Sequence, residues 1–134
     1  MVTIKLRPGI ESDGPAICAL LQGMVPLLVP DLAMPGAAAF LESLEAPAVA
    51  ARLTAPNYIH FIAESGGDLR AYISLRDGRH LYHLFVKPGF QGQGIGRLLW
   101  QRVLAVAGQQ LITVNSSLPA VPVYRSFGFT WSIY

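Results

Sequence analysis

One stretch constrains this chain more than any other: Val86-Lys87-Pro88-Gly89-Phe90-Gln91-Gly92-Gln93-Gly94-Ile95-Gly96-Arg97. It joins His80 to Val86, which alternates as a strand does, to Ile95 to Ala107, which has helical periodicity. Glycines take up positive φ and let the backbone approach a ligand closely. Free N–H groups and the helix dipole at a helix start favour phosphate, and Arg97 adds a fixed charge. Three phosphate patterns compete. The dinucleotide pattern G-x-G-x-x-G fails, because Gly92 and Gly94 would require a glycine at Arg97. It also needs an acid about twenty positions on, and no acid follows Asp77. The P-loop fails because Gly94 is followed by Ile95 rather than lysine. The third pattern, Q/R-x-x-G-x-G/A, is met by Gln91, Gly94 and Gly96. A glycine-rich helix entry without any ligand is the alternative on these residues alone.

Composition narrows the setting. The 134 residues suit a single domain, 1–134, with a core that needs no metal or disulfide. Apolar residues make up 52% and charged residues 13%, which excludes a mainly disordered chain. The single cysteine, Cys18, excludes an internal disulfide and a multi-cysteine metal site. It sits on the apolar side of a helix and reads as core, and its solitude fits a reducing cytosol. Mean hydropathy is positive, but the longest apolar stretch, Ile17 to Leu41, is broken by Pro26, Pro30 and Pro35 and carries Asp31. A spanning helix needs about 20 continuous apolar residues, so no membrane span is expected. Lys5, Arg7, Glu11 and Asp13 occupy the place of a signal peptide's apolar region, so a cytoplasmic location is expected. Every acid lies at or before Asp77, whereas Arg79, Lys87, Arg97, Arg102 and Arg125 follow it. That asymmetry points to a bound anion. Without aromatic residues interleaved among the bases, a small anion is favoured over nucleic acid.

The remaining periodicities supply the frame. Val2 to Leu6 alternates as a strand. Glu11 to Val25 is a helix with Ser12 or Asp13 as N-cap and Ile17, Leu20, Leu21 and Met24 on its inner stripe. A proline-punctuated connector, Pro26 to Pro35, leads to two short helical pieces within Gly36 to Leu53, divided at Pro47. Tyr58 to Glu64 and Leu69 to Arg76 form a hairpin about Ser65-Gly66-Gly67-Asp68, and Asp77-Gly78 turns the chain into His80 to Val86. In the helix Ile95 to Ala107, Leu98, Leu99, Val103 and Val106 are expected inward, with Gly108 ending it. Leu111 to Val114 is expected as a buried strand, Pro119 to Ser126 as a short helix and Phe129 to Tyr134 as a last strand. The order is β-α-α-β-β-β-α-β-α-β, an α/β fold with a mixed sheet flanked by helices.

This layout resembles the GCN5-related N-acetyltransferase (GNAT) superfamily over nearly the whole chain. Leu84-Phe85-Val86, Lys87-Pro88 and Gln91 through Leu99 look like its acetyl-CoA motif. Thr113-Val114-Asn115-Ser116-Ser117, Ala120 to Tyr124 and Phe127-Gly128-Phe129 resemble its second motif. Ile4 to Pro8 with Asp13 looks like its opening strand and helix. The resemblance implies acetyl-CoA as donor and direct transfer of acetyl to the primary amine of a small molecule or peptide, in a ternary complex. It implies that the backbone of Phe85 and Val86 pairs with the pantetheine arm. The N–H groups of Gln91, Gly92, Gln93, Gly94, Ile95, Gly96 and Arg97 would hold the pyrophosphate. Ser117 falls where many members carry an asparagine near the cofactor.

Tyr124 matches the family's general acid, with a packed core aromatic as the alternative. His80 and Tyr82 lie where several members place the base, and a histidine suits that task at neutral pH. An exposed histidine without a role, or an ordered water as base, are the alternatives for His80. Regular alternation puts His80, Tyr82, Leu84 and Val86 on one face and His83 and Phe85 on the other, so His80 and His83 would not share a metal. His60 reads as structural. The connector, with Asp31 as its one charge, would be either an acceptor lid or a dimer contact. Family members usually carry a further strand, so the sheet is expected to be short at its C-terminal end, and a homodimer would cover that edge. An inactive acyl-CoA-binding or sensor module is the alternative to an enzyme.

Overall fold

The computed structural model describes residues 3–29, 31–108, 111–115 and 120–130. Five strands form one sheet in the order β1 (Lys5–Pro8), β2 (Tyr58–Ser65), β3 (Asp68–Arg76), β4 (His80–Val86) and β5 (Thr113–Val114). The first three pairings are antiparallel and β4–β5 is parallel, so the sheet is mixed as expected. Three helices, α1 (Gly14–Leu28), α2 (Ala37–Ser43) and α3 (Ala46–Thr54), bury Ile17, Leu21, Leu44 and Val49 against Ile62 and Tyr72 on one face. On the other face α4 (Ile95–Ala107) buries Leu99, Trp100 and Val103 against Phe61, Ala71, Ile73, Leu75 and Leu81. The short α5 (Val121–Ser126) adds Tyr124 and, just beyond it, Phe127 and Phe129 to that second cluster. Burial on both faces explains why the central residues of β2 and β3 are mostly apolar, with His60 and Ser74 as the buried polar exceptions.

The hairpin forms where the sequence places it. Gly66 and Gly67 both take positive φ, 61° and 82°, which the tight turn requires. Other boundaries move for identifiable reasons. The first strand is Lys5–Pro8 rather than Val2 to Leu6, and Val2 lies outside the described residues. Arg7 fixes its register: Nε donates to Glu64 at 3.2 Å, and the two terminal nitrogens donate to the Asp13 carboxylate at 2.8 and 2.9 Å. Asp13 also accepts the Ile10 N–H at 2.8 Å, so it closes a 3₁₀ turn before α1 instead of capping the helix with its side chain. The Arg7 hydrogen bonds hold its carboxyl below the ordinary carboxylate range. The helix α1 runs through Pro26 to Leu28, past the expected end at Val25. Pro26 lies in the last turn, where its missing N–H removes one helical bond and the Val29 N–H still reaches the Val25 carbonyl.

On α4 the inner stripe is Ile95, Leu99 and Val103 with Trp100 beside it. Leu98 and Val106, expected inward, are 44% and 52% exposed. Leu98 sits about 100° around the helix from Leu99, off the stripe that Trp100 completes. The expected buried strand Leu111 to Val114 shrinks to Thr113–Val114, and Leu111 is 85% exposed because only the last two residues reach β4. The expected last strand falls mostly on residues 131–134, outside the described set; Phe129 and Thr130 are not in a strand.

Candidate active site

A bulge in β4 organises the site. Leu75 pairs with Leu81 and Ser74 with His83, which leaves Tyr82 without a partner. One extra residue reverses the alternation beyond it. Leu81, Leu84 and Val86 therefore pack on the α4 side. Tyr82, His83 and Phe85 turn to the α1–α3 side, where His83 meets Tyr72 and Phe85. His80, opposite Arg76, joins them there. The expected division of β4, with Leu84 and Val86 beside His80 and with His83 opposite, is thus corrected. Among the described residues no group of three or more His, Cys, Asp or Glu is placed to hold a metal.

The same strand presents an open edge. The parallel partner β5 meets only His80 and Leu81. From Tyr82 to Val86, β4 has β3 on one side and, among the described residues, no strand on the other. The Lys87 N–H donates to the Arg70 carbonyl of β3 at 2.7 Å. Antiparallel pairing alternates, so the backbone groups of Phe85 also face β3, and those of Leu84 and Val86 face the open edge. Of the two residues the resemblance names for the pantetheine arm, Val86 turns its backbone groups to the open edge and Phe85 turns its own to β3. The Val86 carbonyl accepts a hydrogen bond from Gln91 Nε2 at 3.0 Å, which pins the loop to the strand end.

The loop then delivers α4. Gly94 is its N-cap at φ 83°, and a Cβ there would meet nothing within 4 Å. Space in front of the helix start is therefore open. The first helical bond runs from Leu98 N–H to the Gly94 carbonyl at 3.1 Å, so the N–H groups of Ile95, Gly96 and Arg97 precede the ladder. Gln91, Gly92, Gln93 and Gly94 are exposed, and Ile95 anchors the turn in the core. At Gly96 a Cβ would make only ordinary contact with β4, 3.7 Å from Val86 Cγ2. Arg97 is held by α5, donating to the Ser126 carbonyl and hydroxyl at 3.2 and 3.1 Å and stacking 5.2 Å from the Phe127 ring centroid. Tyr124 packs edge-on against Phe127 and Phe129 at 6.2 and 5.7 Å. Burial raises its phenol pKa, so it keeps its proton at neutral pH. Ser117 lies outside the described residues.

On the α1–α3 face the sheet carries a polar row that sequence periodicity did not reveal: His60, Ser74 and His83, side by side on β2, β3 and β4. His60 Nε2 donates to the Arg52 carbonyl at 2.9 Å, since a carbonyl only accepts, and Nδ1 takes the Tyr72 hydroxyl at 2.7 Å. Its structural reading holds, and burial lowers its pKa. His83 is buried with Nδ1 unpartnered, and burial drives its pKa down to about 3. The Ser74 hydroxyl is buried without a partner as well. His80 is more open. Its Nδ1 lies 2.8 Å from Thr113 Oγ1, where β4 and β5 begin to part, and burial, then Arg76, lowers its pKa. Arg52 and Arg76 reach over the Tyr82 ring, 5.1 and 5.6 Å from its centroid. Asp31 is exposed in a turn, accepting the Ala33 N–H, among the exposed side chains of Leu27, Leu32 and Met34.

A family model described as an acetyltransferase (GNAT) domain matches residues 28–132. No curated protein sequence matches the chain. Among solved structures, a GCN5-related N-acetyltransferase from Ralstonia eutropha JMP134 is 20% identical, with a TM-score of 0.77 over 98% of this chain and 95% of that one. An acetyltransferase from Clostridium acetobutylicum, solved with acetyl-CoA, is 16% identical with a TM-score of 0.77 over 97% and 92%. The PaiA N-acetyltransferase of Thermoplasma acidophilum, solved with coenzyme A, is 13% identical with a TM-score of 0.79 over 96% and 90%. These likenesses show the fold. The chain belongs to the GNAT acetyltransferase family; it is a transferase whose acetyl donor is acetyl-CoA.

Proposed function

We propose that this acetyltransferase binds acetyl-CoA and an amine together and passes acetyl directly to the primary amine of a small molecule or peptide. One observation carries the reading: the open edge of β4 leads, through a loop pinned to Val86, into the free N–H groups of α4. The chain suits the donor at both ends. An extended arm with amide groups is complementary to the strand edge at Leu84 and Val86. A diphosphate is complementary to the exposed backbone from Gly92 to Arg97 at the positive end of α4. Acetyl-CoA supplies an activated thioester. Tyr124, kept protonated by burial, donates a proton to the departing thiolate. His80, held neutral and oriented at Nδ1 by Thr113, takes the amine proton at Nε2. The chain acts as one domain in the cytoplasm. Among the described residues no helix is long and apolar enough to cross a membrane. The exposed Leu27, Leu32 and Met34 support a homodimer contact, which sedimentation would measure.

Calorimetric titration with acetyl-CoA, followed by a thiol-release assay over an amine panel, tests the reading. Binding together with amine-dependent release of CoA is the expected result. A folded protein that binds no acetyl-CoA at millimolar concentration overturns it, and binding without turnover on any amine points to the non-enzymatic module.

A further inference from the structure

The bulge turns Tyr82 onto the α1–α3 face, beside the place where β4 and β5 part. Tyr58 stands edge-on to it at 5.5 Å. The guanidinium carbons of Arg52 and Arg76, from α3 and β3, lie 5.1 and 5.6 Å from the same ring centroid. Two cations thus gather around one aromatic side chain, and their counter-charges are few. Arg52 has no carboxylate within salt-bridge distance among the described residues; its Nη2 donates to the Ser43 carbonyl at 2.6 Å. Arg76 has only the exposed Asp77, at 3.8 Å, and Asp77 also accepts the Asn57 side-chain amide. The titratable groups facing this cluster from β2 and β4 are His60, His83 and His80, none of which offers a negative charge. The sheet face is therefore positive, aromatic and half-buried, and its anion comes from elsewhere.

Resting on the acetyl-transfer reading above, we propose that Arg52 and Arg76, set about Tyr82, bind a carboxylate of the acceptor, so that the acceptor is a small amine that also carries a carboxylate, as an α-amino acid does. Arginine presents a planar fork that matches a carboxylate. Tyr82 adjoins both the open edge at Leu84 and Val86 and the proposed base His80, so a carboxylate held here places its amine next to the reacting end of the donor. The same pair of cations favours the neutral amine, the form that attacks, and repels acceptors that carry several positive charges. Asp31, exposed on the connector, is not needed to recruit the amine.

Two measurements test the site, and they fail separately. The first is calorimetry on the protein saturated with CoA, titrated with the common α-amino acids and with their amides. At least one amino acid is expected to bind about tenfold or more tighter than its amide, the scale of a lost charged hydrogen bond. Arg76→Gln, which alters only a half-exposed side chain, is expected to shrink that ratio towards one. Arg52→Gln should do the same, with Arg52→Lys restoring part of it; thermal melting separates this from loss of the Ser43 bond. The second is kcat/KM for each acid and amide pair and for a polyamine. The amide has the more acidic ammonium group and is intrinsically the better nucleophile at pH 7. A preference for the acid therefore reports the site. Equal binding of acids and amides, or a preference for the polyamine, overturns the proposal even if acetyl transfer is observed. Selective acid binding without turnover upholds the carboxylate site and removes the acetyl-transfer reading instead.

Discussion

The two sides of β4 are built on opposite rules. Towards the open edge and α4, backbone groups are left free: among the described residues the Leu84–Val86 edge has no strand beside it, and the first N–H groups of α4 have no helical partner. Towards α1–α3, side chains line the sheet: buried histidines, with His60 satisfied at both nitrogens and His83 not satisfied at Nδ1, beside the half-buried Arg52, Arg76 and Tyr82. The first side can receive a ligand through its main chain with little dependence on side-chain identity. The second can select among ligands, because each polar atom there is either committed or unpartnered. A single inserted residue, Tyr82, separates the two by reversing which residues face each side.

Four substitutions sharpen that contrast. Tyr124→Phe removes the proton donor and keeps the packing; kcat is expected to fall by about a hundredfold or more, with acetyl-CoA affinity retained. Equal loss of affinity and turnover would make Tyr124 a packing residue instead. Gly94→Val forces a β-branched residue to φ 83° and fills the open space before α4. The strain costs about 1–2 kcal/mol, measurable by denaturant titration, and acetyl-CoA affinity is expected to fall by more than the loss of folded protein explains. An unaltered affinity would separate the helix start from the ligand.

The histidine row gives smaller effects. The unfolded chain protonates His83 near its ordinary 6.5, whereas the folded chain refuses that proton until about pH 3. The contribution of a neutral His83 is therefore fully present above about pH 6.5 and is lost as pH falls through that window. His83→Leu is expected to flatten this acid limb and to stay within about 1 kcal/mol of the parent at pH 7, since the unpartnered Nδ1 loses no bond. His60→Leu, in contrast, abandons the Tyr72 hydroxyl and the Arg52 carbonyl and is expected to cost about 1–3 kcal/mol at pH 7. Equal effects of the two substitutions would erase the distinction between them.

Much of the first side was legible in the sequence because it is local. The glycine spacing, the Ile95 to Ala107 helix and the Gly66-Gly67 turn each depend on a few consecutive residues, and each stands where expected. The second side was not, because it depends on register. Nothing in His80-Leu81-Tyr82-His83 marks a bulge, and strict alternation therefore sent His83 to the wrong face. Arg52 and Arg76 lie 24 residues apart in sequence, on α3 and β3, and only the fold brings them to Tyr82. The exposed Leu98 and Leu111 were misplaced for a related reason, since an apolar residue's inward direction is set by what the sheet leaves to be covered.

Backbone amide chemical shifts, followed while acetyl-CoA is added to the labelled protein, report on the two sides of β4 at once. The expected result is a cluster of large shifts at Leu84, Val86 and the amides from Gly92 to Arg97, with the His60 and Ser74 amides little moved. Shifts centred on the α1–α3 face, or none at the start of α4, would contradict the assignment of the donor to the open edge.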